Sequence, residues 1–191
     1  MGRFLAGFVT GIVVLVLAGL VYAFTAVDVS ARRGNDRLDL LLGAVSERAV
    51  KRAAPDSTNP LAKDPEAISE GLGEFREDCV ACHAAPGVEA ADFAEGLQPP
   101  PPRLWSKGAQ TLSDGELYWI VANGVRMTGM PAFGKDHPDR EIWELVSAIR
   151  ALPGLTDAQK AMLSAPEREN TSGQEPPASA PAPAPSPGGD R

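Results

Sequence analysis

Three residues that could bind a metal or react covalently stand together in the stretch EDCVACHAAPG, residues 77–87. Cys79 and Cys82 are the only cysteines in 191 residues, two residues separate them, and His83 follows at once. A disulfide between cysteines this close would close a very small loop and would stabilise a fold little. The pair is therefore expected to serve chemistry rather than stability.

Zinc binding and dithiol chemistry both fit this pattern poorly. A structural zinc site needs four ligands in a tetrahedral arrangement, and the chain offers only two cysteines with His83 and His137. Cys82 and His83 are adjacent, which makes joint chelation of one ion awkward. A dithiol redox motif usually lies near a βαβ unit, whereas the sequence before these cysteines has helical periodicity. Both kinds of site are therefore disfavoured.

Covalent attachment of a haem uses all three residues at once. Two thiols separated by two residues can each add to one vinyl group of a porphyrin, and the histidine that follows is then held beneath the iron. The sequence therefore predicts one haem c attached through Cys79 and Cys82, with His83 as an axial ligand of the iron.

The second axial ligand has three candidates, Met127, Met130 and His137, because Met162 lies too far into the terminal helix. The segment NGVRMTGMPAFG places Met130 between a glycine, which allows close approach of the backbone, and a proline, which restrains it. A methionine is more often core filler than a ligand. The residues alone therefore leave this choice open.

Helical periodicity surrounds the cysteine motif. Ile68, Leu72, Phe75 and Cys79 recur at i, i+4, i+7 and i+11, so a helix is expected from about Pro65 directly into the motif. Further helices are predicted in LSDGELYWIVANG, PDREIWELVSAIRALPG and TDAQKAMLSA. Neither an internal repeat nor period-two patterning is visible in the sequence. The predicted fold class is therefore all-α.

Start and stop signals bound two of these helices. Ser113 and Glu116 have capping-box spacing, and Gly124 stands where that helix should end. Pro138 suits the first turn of the next helix. Before them, the segment QPPPPRLW cannot be helical, and a stiff loop packed on the domain is expected there.

An apolar run from Phe4 to Val27 carries no charge over 24 residues, which as a helix is enough to cross a hydrocarbon core of about 30 Å. A cleavable signal peptide is the alternative, with VYA at 21–23 as a weak cleavage site. The length of the run favours an uncleaved transmembrane anchor. The arginines on the two sides of the run do not orient it.

A second helix is predicted at residues 36–52, capped by Asn35 or Asp36. Its apolar residues fall at helical spacing: Leu38, Leu41, Leu42, Val45 and Ala49. This stripe could lie on the bilayer or on the folded domain, and packing on the domain is the more ordinary outcome.

The predicted organisation has four parts. They are an anchor at 1–30, a juxtamembrane helix and linker at 31–60 that ends in APDSTNP, a globular domain at 61–165, and a disordered Pro/Ala-rich tail at 166–191. Residues 61–165 carry nine basic and sixteen acidic side chains. Because nucleic-acid binding needs a basic face or stripe, no nucleic-acid partner is expected.

The stretch from about Pro65 to Leu155 resembles the class I c-type cytochromes, and more narrowly their membrane-anchored single-haem members in bacterial respiratory chains. The resemblance rests on GLGEFREDCVACH, LYWIVANGVRMTGMPAFG and DREIWELVSAI. It implies a small helical domain around one haem. It also implies that Met130, the methionine of the TGMP segment, is the distal ligand and that Met127 forms a neighbouring apolar wall.

The resemblance also implies that the first helix of the domain crosses the last one at a small residue. Gly71 and Phe75 occupy the matching positions, with Trp143 and Ile149 as the expected partners. The chain departs from the family pattern at two places. Ala84 replaces the glycine usual after the histidine, and Ala148 replaces an aromatic residue that is common before Ile149.

A haem iron bound by His83 and Met130 has no vacant position, so the implied role is one-electron transfer and not catalysis. Haem is attached outside the bacterial cytoplasm in this family, which implies that residues 28–191 lie on the periplasmic side of the inner membrane. The resemblance implies a tethered shuttle between a quinol-oxidising complex or periplasmic dehydrogenase and a terminal oxidase or reductase. The alternative is a haem subunit of a periplasmic oxidoreductase that acts on a small substrate such as a sulfur compound. A site with His137 as the second ligand is a third case.

Overall fold

The computed structural model describes residues 2–26, 30–32 and 37–164, without the side chains of residues 37 and 38. Its α-helices are α1 (Gly2–Thr25), α2 (Arg37–Ala53), α3 (Pro65–Asp78), α4 (Val80–His83), α5 (Lys107–Gln110), α6 (Asp114–Asn123), α7 (Asp139–Ala151) and α8 (Asp157–Leu163). Short 3₁₀ helices lie at Asp92–Gly96, Phe133–Lys135 and Leu152–Gly154. Over these described ranges the only β pairing is one isolated bridge between Ala85 and Val88. The predicted all-α fold class is confirmed.

Two sequence predictions lie outside the described residues: the cap of the second helix at Asn35 or Asp36, and the disordered tail from Pro166. The division of the chain at residues 30, 60 and 165 stays a prediction. Residues 55–61 nevertheless contact the helical domain closely, as described below.

The first helix has the properties of a membrane anchor. At about 1.5 Å per residue, its 24 residues span roughly 36 Å, more than a hydrocarbon core of about 30 Å. Its most apolar window has a mean hydropathy of 2.7, and none of that window is buried against the rest of the structure. It is the one helix of the described residues that is long and apolar enough to cross a membrane. The predicted N-terminal transmembrane helix is therefore confirmed in length and composition.

The domain is built on a close crossing of α3 and α7. A Cβ atom placed on Gly71 would collide with the backbone carbonyl of Glu144, so only glycine allows the two helices to approach this closely. The predicted small residue at the crossing is thus present. Phe75 and Ile149 are buried in the core beside it, while Trp143 stacks on Tyr118 of α6 with ring centroids 4.4 Å apart.

Local signals explain the helix boundaries. Asp64 accepts a hydrogen bond from the Glu66 amide at the start of α3. The predicted capping box of α6 is present, with Ser113 and Glu116 bonded reciprocally. The helix ends at Gly124, which has a φ of 65°. Helix α7 begins one residue after Pro138, which occupies the N-cap and not the first turn.

A strap of residues 55–61 ties α2 to the domain. The Asn59 amide nitrogen Nδ2 donates to the Trp143 carbonyl at 3.0 Å and to Ser147 Oγ at 2.8 Å. The Asn59 backbone N–H donates to Asp114 Oδ2 at 3.0 Å. Arg150 also pairs with Asp114, at 2.7 Å. The segment APDSTNP, which was predicted as a boundary, is therefore also bonded to the domain.

The expected packing of the apolar stripe of α2 on the domain is wrong. The domain covers only the last turns of α2, where Val50 is buried and the helix contacts α6. Leu41, Leu42 and Val45 are exposed. The reason is geometric, because α2 meets the domain through Val50, which lies roughly 140° around the helix from Val45.

Candidate functional site

A cavity of about 420 Å³ lies between the end of α3, α4, α6, α7 and the irregular segments that join them. Its volume falls in the range of cofactor and small-molecule sites, which is about 300–1,000 Å³. The wall is predominantly apolar. All four residues predicted to attach or ligate a haem line this one cavity: Cys79, Cys82, His83 and Met130.

A tight turn holds the two cysteines and the histidine on one side of the cavity. Helix α3 ends at Asp78, and the amides of Cys82 and His83 both donate to the carbonyl of Cys79, at 3.1 and 2.8 Å. The two cysteines are not bonded to each other. Burial, reinforced by the charge of Asp78, raises the pKa of the Cys79 thiol to about 12. A reactive dithiol needs a lowered thiol pKa, so the disfavoured dithiol interpretation gains no support.

The imidazole of His83 has the arrangement of a metal ligand. Its Nδ1 lies 2.7 Å from the carbonyl oxygen of Pro102, so Nδ1 carries the proton and donates. Burial lowers the pKa of His83, and the bond to Pro102 opposes this only in part. The ring is therefore neutral with Nε2 free to bind, and a ligating histidine usually donates its other nitrogen to an acceptor in this way. The donor set of this cavity fits a haem.

The proline run contributes directly to the site, which goes beyond the stiff loop that its composition predicts. Residues 99–102 all line the cavity. The Pro102 carbonyl orients His83 from a distance of nineteen residues along the chain. In the sequence, only the unusual composition of this segment indicates a role at the site. The hydrogen bond between Pro102 and His83 could not be predicted, because it depends on the fold.

A hydrogen-bonded loop holds Met130 at the cavity. The amide of Met130 donates to Thr128 Oγ at 3.1 Å, and the Thr128 hydroxyl donates to the Val125 carbonyl at 2.7 Å. A Cβ on Gly124 would meet the carbonyl of Pro131, so glycine is needed where the loop closes on itself. Met130 itself is half-buried.

The expectation that Met127 forms an apolar wall is wrong. Its side chain is 78% exposed, and it is not among the residues that line the cavity. It has a φ of 63° in the turn that leads to Met130. Leu97 and Leu104 provide apolar wall instead, together with Val121 of α6 and Ile149 of α7. Leu97 and Leu104 were missed because their segment has no helical periodicity.

His137 also lies outside the cavity lining. Its Nδ1 is 2.9 Å from Glu141 Oε2, and its Nε2 is 3.4 Å from Asp78 Oδ2. Glu74 approaches the same ring at 3.9 Å. Both nitrogens thus face carboxylates, which argues against His137 as the second axial ligand.

Comparison with known proteins agrees with this geometry. Residues 66–147 match the family model described as cytochrome C oxidase, cbb3-type, subunit III. No curated protein matches the chain significantly. The matched residues run from α3 into α7 and include both the cysteine turn and the methionine loop. A cytochrome c domain implies a haem c and electron transfer through it. The match supports a class I c-type cytochrome domain over residues 66–147, and the apolar helix α1 that precedes this domain has the length and composition of a membrane anchor.

Proposed function

We propose that the chain is a membrane-tethered electron shuttle that carries single electrons through a His/Met-ligated haem c in the periplasm. The observation that supports this most is that Cys79, Cys82, His83 and Met130 line one apolar cavity, although 50 residues separate Cys79 from Met130 along the chain. The function follows from the ligand set, because an iron with two protein ligands has no position for substrate.

Each of the four residues would hold the haem in a definite way. Cys79 and Cys82 would each form a thioether bond to the porphyrin, which prevents its loss. His83 and Met130 would be the axial ligands of the iron. When bound, the haem would supply one-electron exchange between the ferrous and ferric states.

The remaining residues of the cavity tune this chemistry. Pro102 keeps the proton on Nδ1 of His83 and so keeps Nε2 available to the iron. A thioether ligand at Met130 raises the reduction potential. The apolar wall around the cavity excludes water, and this also affects the potential.

The location and partners follow from the family and the anchor. Thioether attachment of haem takes place outside the bacterial cytoplasm, so residues 28–191 would lie at the periplasmic face of the inner membrane. A quinol-oxidising complex or a periplasmic dehydrogenase would be the electron donor. The matching model is named for a subunit of a cbb3-type cytochrome c oxidase, which supports a terminal oxidase as acceptor, with a reductase as the other possibility.

The matched variants Met130→Ala and Met127→Ala test the ligand set in the full-length, haem-loaded protein. Met130→Ala is expected to lose the methionine-to-iron charge-transfer band of the oxidised protein and to lower the reduction potential. Met127→Ala should retain both, because Met127 is exposed and lies outside the cavity lining. An unchanged band in Met130→Ala would contradict the proposal.

Two further measurements on the same preparations complete the test. Acid–acetone treatment of the denatured protein should leave the pigment on the chain, and its release would contradict attachment through Cys79 and Cys82. Cyanide should leave the spectrum of the oxidised protein unchanged. Ready cyanide binding would instead favour a haem subunit that acts on a small substrate, since that role needs a labile distal ligand.

A further inference from the structure

Outside α1, the large aliphatic side chains that are exposed in the described residues lie on α2: Leu40, Leu41, Leu42 and Val45. Leu41, Leu42 and Val45 form the apolar stripe, whereas Leu40 lies on the side of the helix that carries Glu47 and Lys51. Leu41 is 60% exposed and Val45 is 57% exposed, with Leu42 beside them. At about 100° per residue, these three side chains share one third of the helix circumference. The domain contacts α2 through Val50, which lies roughly 140° around the helix from Val45. The fold therefore presents this stripe away from the domain.

The charged side chains of α2 are arranged as on an interfacial helix. Arg48 and Arg52 are exposed; Arg48 lies at the edge of the stripe, about 60° from Val45, and Arg52 lies about 20° from Val45, at the C-terminal end of the stripe. The ion pair between Glu47 and Lys51, at 2.7 Å, lies on the far side of the helix. Long arginine side chains at such positions can reach lipid headgroups while their stems cover apolar surface.

The charge of this segment differs from that of the rest of the chain. Residues 30–53 carry six basic and three acidic side chains, a net charge of +3, whereas the whole chain has −7. A positive segment with an apolar stripe complements the surface of an anionic bilayer.

The position of α2 along the chain favours the bilayer as the surface that covers its apolar stripe. Eleven residues, 26–36, separate α1 from α2, and even fully extended they span at most about 40 Å. A stripe tethered this closely to a membrane-spanning helix meets the bilayer at a high local concentration.

We propose that α2 lies in the headgroup region of the bilayer, with Leu41, Leu42 and Val45 inserted and Arg48 and Arg52 on the anionic headgroups. The strap at 55–61 joins α2 to α6 and α7 through Asn59. Insertion of α2 therefore fixes the orientation of the haem domain relative to the membrane. This inference rests on α1 as the anchor and not on the haem ligands.

Photo-crosslinking in the full-length protein tests the contact. A benzophenone amino acid replaces Leu41 in one variant and Glu47 in a matched control, and both proteins are reconstituted into nanodiscs that contain phosphatidylglycerol. Both positions are exposed, so neither replacement disturbs a packed core. After illumination, phospholipid adducts are measured by mass spectrometry.

The Leu41 position is expected to give about tenfold more lipid adduct than the Glu47 position, because only the stripe inserts. Adding Val45→Glu should abolish most of this difference, and nanodiscs of phosphatidylcholine alone should reduce it. Equal lipid adducts at both positions would overturn the proposal. Adducts from Leu41 to the haem domain or to a second copy of the chain would overturn it as well. The lipid adducts are measured independently of the haem ligands, so failure of this proposal can be distinguished from failure of the ligand set tested by Met130→Ala.

Discussion

Replacing Gly71 by alanine tests the helix crossing that positions the haem site, and Gly73 in the same helix provides the control. A Cβ on Gly71 would collide with the Glu144 carbonyl, whereas a Cβ on Gly73 would have nothing within 4 Å. Both glycines lie inside α3, so both substitutions bring the same gain in helix propensity of about 0.5–1 kcal/mol. The two variants therefore differ only in the clash.

The cost of that clash is set by what the methyl group meets. Overpacking a core usually costs about 1–3 kcal/mol, because neighbouring side chains shift to make room. A backbone carbonyl in the middle of α7 cannot rotate away, so α3 and α7 must separate. After the propensity gain, we expect Gly71→Ala to lower the free energy of unfolding by about 2 kcal/mol. Gly73→Ala should raise it by about 0.5–1 kcal/mol.

Urea unfolding of the full-length holoprotein in detergent, followed by far-UV circular dichroism, measures this difference. The same preparations give a second readout at the haem site. Helix α3 leads into the cysteine turn, and α7 contributes Leu145 and Ile149 to the cavity wall. Gly71→Ala should therefore also perturb the charge-transfer band of the oxidised protein. If Gly71→Ala proves as stable as Gly73→Ala, the crossing is not as close as we describe.

Two further predictions concern backbone strain and pH. Ala84 has φ of 59° and ψ of −176°, a conformation that favours glycine and costs other residues about 1–3 kcal/mol. The control is Ala85→Gly, which removes an equally buried methyl group without relieving strain. In urea unfolding, Ala84→Gly should therefore be about 2 kcal/mol more stable than Ala85→Gly. Equal midpoints would contradict this. Burial raises the pKa of Asp114, but hydrogen bonds from Asn59 and Arg150 and the charge of Arg150 outweigh it, so its net pKa is lowered. The stability that Asp114 contributes is therefore present above its ordinary pKa of 3.8 and lost as the pH falls through the lower folded value. The stability difference between the wild type and Asp114→Asn should shrink below that pH, and a constant difference would refute the assignment.

The features that the sequence predicted correctly depend on local signals. The capping box at Ser113 and Glu116 and the glycine at 124 act within a few residues, so the bounds of α6 could be predicted. The helix into the cysteine motif could be predicted from its spacing, because an amphipathic helix must bury one face.

The features that the sequence did not predict depend on contacts between distant segments. Asn59 was part of an apparent linker, but its side chain bonds to residues 84 and 88 positions away. The stripe of α2 has the same periodicity whether a domain or a bilayer covers it. The exposure of Met127 follows from a left-handed turn that its residue type does not favour.

The hydrogen bond between the proline run and His83 is another contact between distant segments. Prolines have no N–H and cannot form helical hydrogen bonds, so a run of four keeps an extended backbone whose carbonyls have no partners within the run. Such a carbonyl is a free acceptor at a fixed position, and Pro102 offers it to Nδ1 of His83. A flexible segment at 99–102 would have to be ordered to make this bond, at an entropic cost for each residue. The stiff proline run therefore orients His83 at a lower entropic cost than a flexible segment would. The same stiffness lets residues 99–102 form one wall of the cavity.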